Sequence, residues 1–95
     1  MDKKLALYDI DGNAKFQTIA TSSSSVQSSA IDADKIMIIA CEESHFVAFG
    51  SNPTATTSSF IIPQDTPLQF NFKKGDKVAA RSHNGNGHIT ILKMS

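Results

Sequence analysis

Apolar residues in this chain fall in short runs, many with a period of two, and turn-forming residues cut each run off before it could make a helix. The cleanest case is 68–73, where Leu68, Phe70 and Phe72 point one way and Gln69, Asn71 and Lys73 the other, as on a strand. Near the start, Leu5 and Leu7 alternate with Ala6 and Tyr8. Asp11-Gly12 then predicts a hairpin turn, and residues 14–20 return with Phe16 and Thr18 on one face and Ile19 on the other. The run Ile36-Met37-Ile38-Ile39-Ala40 is too short and too β-branched for a good helix. It predicts a strand over 35–41 covered on both faces. Glu42-Glu43-Ser44 reads as a turn, with 45–50 pairing back as the second arm of a hairpin. Residues 60–62 predict a short buried strand stopped by Pro63. A tight turn at Lys74-Gly75-Asp76 precedes a strand over 77–82 with Val78 and Ala80 inward. Asn84-Gly85 predicts a last hairpin that returns over 88–93 through Ile89 and Ile91. Two polar stretches complete the pattern: 21–29 as an irregular, half-buried edge strand, and 54–59 as a loop or edge strand.

Residues 46–80 hold five of the six phenylalanines (Phe46, Phe49, Phe60, Phe70 and Phe72), and the core is expected there. Eight or nine short strands with no helix longer than one turn define an all-β fold. The expectation is a small antiparallel β-sandwich or jelly-roll-like barrel of about eight strands. Its length suits one domain, 1–95, with residues 1–20 an N-terminal hairpin or an extended arm.

Composition narrows the chemistry. Nine basic and nine acidic side chains cancel, and no basic stripe occurs, which argues against nucleic acid as a partner. Ser and Thr fill 19 of the 95 positions, so the surface is polar through hydroxyls more than through charge. Cys41 is the single cysteine, ruling out an internal disulfide, and is expected to sit buried as a small hydrophobe. No apolar run approaches the length of a membrane span, no membrane partner is expected, and no secretory pattern follows Lys3 and Lys4. Synthesis and folding in a cytosol is the expectation.

Motifs of catalysis and metal binding fail one by one. The cluster Asp9, Asp11, Gly12, Asn13 lacks the ligand spacing of a calcium loop, because position 18 is Thr where a Glu is needed. The serine tract has no Gly-x-Ser-x-Gly elbow to activate a nucleophile. Glu42 and Glu43 read as solvated turn residues rather than an acid–base pair. His83 and His88 flank the last predicted hairpin and would face each other across it, but two histidines make a weak metal site. Catalytic, cofactor and metal residues are therefore expected to be none.

Phe-Gly-Ser-Asn-Pro-Thr-Ala-Thr over 49–56, Ser-Phe-Ile-Ile-Pro over 59–63, the Phe70, Phe72, Gly75-Asp76-Lys77-Val78-Ala79 pattern and the Gly87, Ile89, Ile91 pattern occur in an order similar to that of the small all-β virion structural proteins of tailed bacteriophages. The resemblance spans residues 22–94 and rests on turn and strand residues. It implies a non-enzymatic part of a virion assembled in the host cytoplasm, with a capsid decoration or cement protein as the first expectation. The implied partners are a major capsid protein or other virion proteins, and further copies of the chain, with a trimer favoured. Lightly charged, hydroxyl-rich edges suit backbone pairing with a partner. The expected contacts are Ser23, Ser25, Gln27, Asn52, Thr54, Thr56 and Thr57. Two alternatives stay open: a head-fibre, neck or tail appendage, and a carbohydrate- or receptor-binding β-sandwich, against which stands the absence of Trp.

Overall fold

The computed structural model describes residues 16–94. The strands are β1 (Phe16–Thr21), β2 (Val26–Gln27), β3 (Lys35–Cys41), β4 (His45–Gly50), β5 (Phe60–Ile62), β6 (Leu68–Asn71), β7 (Lys77–Ser82) and β8 (Gly87–Lys93). They form two four-stranded antiparallel sheets, in the order β1-β8-β3-β6 and β2-β7-β4-β5. The pairs β1·β8, β2·β7, β3·β6 and β4·β5 are the rungs of one long hairpin folded at residues 51–59. Rolling that hairpin adds β8 to β3 and β7 to β4, which turns it into two stacked sheets. This is the eight-stranded jelly-roll topology.

The rolling corrects two sequence expectations. β3 and β4 are not a hairpin, nor are β7 and β8; in each case, as also at the expected tight turn Lys74-Gly75-Asp76, the connection crosses from one sheet to the other. Short polar segments with a left-handed residue look alike locally whether they fold a strand back beside itself or carry it over to the facing sheet. Glu42 at φ 71°, Gly75 at φ 89° and Gly85 at φ 82° make these crossings.

Alternation then selects the core. Ile36, Ile38 and Ala40 of β3 and Ile89 and Ile91 of β8 face Val47, Ile62, Val78 and Ala80 of the other sheet. Ile31, from the loop before β3, and Phe72, after β6, close the core at one end. Isoleucine, not phenylalanine, thus fills the centre, contrary to the expectation from residues 46–80. Among the described phenylalanines only Phe72 is buried; Phe49 is 36% and Phe60 57% exposed. The β5 strand, read as buried, is an edge strand of which only Ile62 is buried. β3 is sealed on its inner face, while Met37, Ile39 and Cys41 on the outer face are half-buried, so neither full coverage nor a buried thiol holds.

Residues 21–29 provide the edge strand β2, as expected. Residues 51–59 contain no strand. They lie across the outer face of the second sheet, where Ala79 is fully buried although it points away from Val78 and Ala80. Gln27 Nε2 holds this loop by donating to Asn52 Oδ1 and Pro53 O, both at 2.8 Å, and the Ala55 N–H donates to Ser25 Oγ at 2.9 Å. Of residues 1–20, Phe16 to Ala20 belong to β1 and pair with β8. The hairpin expected at Asp11-Gly12 lies outside the described residues.

Candidate functional site

Two features stand out: an aromatic groove on one side and a buried histidine at one end. The groove opens where β6, the edge of the first sheet, meets β4 and β5 of the second. Its volume is about 270 Å³, and Val47, Ala48, Phe49, Phe60 and Phe70 line it. Phe70 comes from β6, Phe49 from β4 and Phe60 from β5, each put there by its strand's alternation. The rings meet edge to face: Phe49 to Phe70 at 5.2 Å, Phe49 to Phe72 at 5.3 Å and Phe60 to Phe70 at 5.9 Å between centroids. Such contacts hold the rings in place beyond their burial alone. Ile61, 41% exposed, follows Phe60 along the same edge strand. No lining residue is charged, and no lining side chain can hydrogen-bond.

The histidine is His45, the first residue of β4, fully buried. Its Nδ1 lies 2.7 Å from the Glu43 carbonyl oxygen, which can only accept, so Nδ1 carries the hydrogen. Nε2 is then the acceptor of the neutral ring, and the Thr21 hydroxyl donates to it at 2.6 Å. Gly87 on β8 leaves room for the ring. Burial is the main cause that lowers the His45 pKa below the ordinary imidazole value. The Glu43 carbonyl opposes it, nearby His88 adds to it, and the Glu43 charge opposes it. A hydroxyl donating into an oriented imidazole is also the geometry of an activated nucleophile. Here, however, Thr21 is 5% exposed and the ring not at all, so a substrate has no approach to either.

His83 and His88 are turned to different partners. His83 packs on Phe46 in a tilted arrangement with centroids 5.8 Å apart, and His88 Nδ1 meets Glu42 Oε1 at 2.8 Å. Their predicted approach fails because β7 and β8 lie in different sheets. Among the described residues no three His, Cys, Asp or Glu side chains gather in a way that could hold a metal ion. Desolvation, followed by the charges of Asp65 and Glu42, raises the Cys41 thiol above its usual pKa, which keeps it protonated.

The residues expected as contacts divide into two groups. Ser25, Gln27 and Asn52 are used inside the molecule, fastening loop 51–59. Ser23, Thr54, Thr56 and Thr57 are exposed, and Thr56 also braces its own loop, with its N–H donating to Ser59 Oγ at 2.9 Å. The aromatic groove was missed because its phenylalanines read as core. Proximity of Pro63 to Phe60-Ile61-Ile62 was the available hint, since proline marks edge strands.

The fold and groove define a class: an eight-stranded jelly roll with an apolar, aromatic opening between two sheet edges. In comparison with known proteins, the chain matches no family model, no curated protein and no solved structure.

Proposed function

We propose that this protein is a non-enzymatic structural subunit that docks against other protein subunits, in the virion setting that the sequence resemblance implies. One observation carries the reading: Phe60 and Ile61 stand exposed on the edge strand β5 beside the uncharged Phe49–Phe70 groove. Solitary domains blunt their edges with charge, proline or cover, because free strand backbone and apolar side chains recruit other chains. Here residues 57–62 and 67–72 carry no charge at all.

The first partner is a second copy of this chain. Two like-charged patches repel when brought together around a symmetry axis, whereas an uncharged one does not, so this edge suits contact between identical subunits. The exposed Ser23, Thr54, Thr56 and Thr57 remain available to a different virion protein, with the major capsid protein as the proposed one. A decoration role is preferred to a head-fibre, neck or tail appendage on the resemblance alone. A carbohydrate site is disfavoured, since sugar recognition needs hydrogen-bonding groups among the rings and the groove lining has none.

Light-scattering mass over a concentration series tests the reading. The wild-type chain is expected to form a discrete oligomer, and Phe60→Ser with Ile61→Ser to run as a monomer of unchanged circular dichroism. A wild-type chain that stays monomeric at high micromolar concentration overturns the docking role.

A further inference from the structure

We infer that His45 is an acid-sensitive latch: when its ring takes a second proton, the end of the jelly roll built from residues 22–25, 42–44 and 83–86 opens while the two sheets stay paired. This concerns the opposite chemistry from the aromatic groove and stands independently of the docking role.

His45 ties several elements together. Thr21 ends β1, Glu43 lies in the β3–β4 crossing and Gly87 starts β8, so one side chain touches both sheets and a crossing at once. The rest of that end is held by few bonds. Ser82 N–H donates to Ser22 O and His83 N–H to Ser44 O, both at 2.9 Å, Ala55 N–H donates to Ser25 Oγ at 2.9 Å, and Gln64 N–H donates to Ser44 Oγ at 3.1 Å. No large apolar core residue comes from residues 22–25, 42–44 or 83–86. With little burial behind it, the closed form of this end depends on polar contacts that His45 organises.

Protonation turns the Nε2 contact against closure, while the Nδ1–H bond to the Glu43 carbonyl persists. In the neutral ring Nδ1–H donates and Nε2 accepts, and both are satisfied. A proton on Nε2 makes it a donor that points at the Thr21 hydroxyl. The hydroxyl must then turn round to accept and send its own hydrogen elsewhere. The ring lies in the space that a Cβ on Gly87 would take, 3.1 Å from Cε1, with Nδ1 tied to the Glu43 carbonyl. A fully buried positive charge results, and opening to water relieves it.

The surrounding groups set the balance. Glu43, in the crossing, favours the cation through its carbonyl and its charge, whereas His88 on β8 disfavours it. Glu42 is engaged with His88 at 2.8 Å. Cys41, at the end of β3, feels Asp65 and Glu42 and stays a neutral thiol. His83 lies on Phe46, which alternates with His45 and so points to the other face of β4, where Arg81 is paired in register. Among the described residues Glu43 is thus the one carboxylate that bears on the ring, and burial outweighs it.

The sign follows from linkage. A base held neutral in the closed form favours closure fully above the open-state value of about 6.5, and progressively less as pH falls below it. One proton per opening gives a rise in the opening constant approaching tenfold per pH unit, which levels off once the buried ring itself is protonated.

Amide exchange of the full chain between pH 7.5 and 4.5, corrected for intrinsic rates, tests the latch. The reporters at this end are the Ser82 and His83 amides, and those at the far end are Ile31 (bonded to Asp76 O) and Phe72 (bonded to Asp34 O). Opening at Ser82 and His83 is expected to rise below about pH 6.5, by at most tenfold per pH unit, with Ile31 and Phe72 responding less. His45→Gln, which keeps a buried polar group without a titrating proton, should lose this dependence. Glu42→Gln, which removes only the His88 partner, should keep it. Equal response at both ends, or loss of the response in Glu42→Gln, overturns the inference. Should His45→Gln fail to fold, the wild-type ring still decides by NMR: titration at or above 6.5 with Ser82 and His83 protected overturns it, and titration below 6.5 coincident with their opening supports it.

Discussion

Gly87 lies against the His45 ring so closely that a Cβ there would sit 3.1 Å from Cε1 and 3.0 Å from the Cys41 carbonyl oxygen. The carbonyl is backbone and the ring is fixed at both nitrogens, so neither gives way easily. Gly87→Ala is therefore expected to cost about 1–3 kcal/mol through overpacking and to shift the His45 ring resonances. Gly85→Ala has open space around its Cβ and pays only for its φ of 82°. It should cost about 1–2 kcal/mol and leave the His45 resonances in place. Chemical denaturation with one-dimensional NMR of the ring protons separates the two.

Thr21 is nearly as buried as His45 and supplies the bond at its Nε2. Thr21→Val keeps the shape and removes the donor, leaving a buried acceptor unsatisfied. A loss of about 1–3 kcal/mol at pH 7.5 is expected from urea denaturation.

Global stability should follow the same proton. Because the His45 pKa is lowered in the folded chain, its contribution is fully present above about pH 6.5 and declines below it. Urea midpoints at pH 7.5 and pH 5.5 should differ in the wild type by more than in His45→Gln.

Core and groove should separate stability from association. Ile38 and Ile91 are essentially inaccessible, so Ile38→Ala is expected to cost about 2–5 kcal/mol by leaving a cavity. Phe60, 57% exposed on an edge strand, should cost much less when replaced by Ala. The same substitution should weaken self-association measured by light scattering.

Gln27 joins β2 to loop 51–59 through two bonds of 2.8 Å. Gln27→Ala should cost about 1 kcal/mol or less, because the site is partly open to water. The clearer effect should be faster proteolytic cleavage at residues 56–58, where the chain is exposed and no strand restrains it.

What the sequence determined by itself was local: where strands run and where they stop. Alternation at Leu68, Phe70 and Phe72, and the inward set Val78, Ala80, Ile89 and Ile91, are properties of neighbouring residues and turned out as read. The outcome of each crossing was not local. Glu42-Glu43-Ser44 and Asn84-Gly85 have good turn chemistry, but turn chemistry does not say which sheet the next strand will join. That choice depends on which apolar faces can cover one another across the sandwich, and so on residues far apart in the chain. The same dependence sent Phe49, Phe60 and Phe70 to an open edge instead of the centre, since the centre was already filled by isoleucines from β3, β5 and β8. His45 went unremarked for the complementary reason. Its partners Thr21, Glu43 and Gly87 come together only when β1, β4 and β8 are stacked, and burial is a property of that stack rather than of any segment.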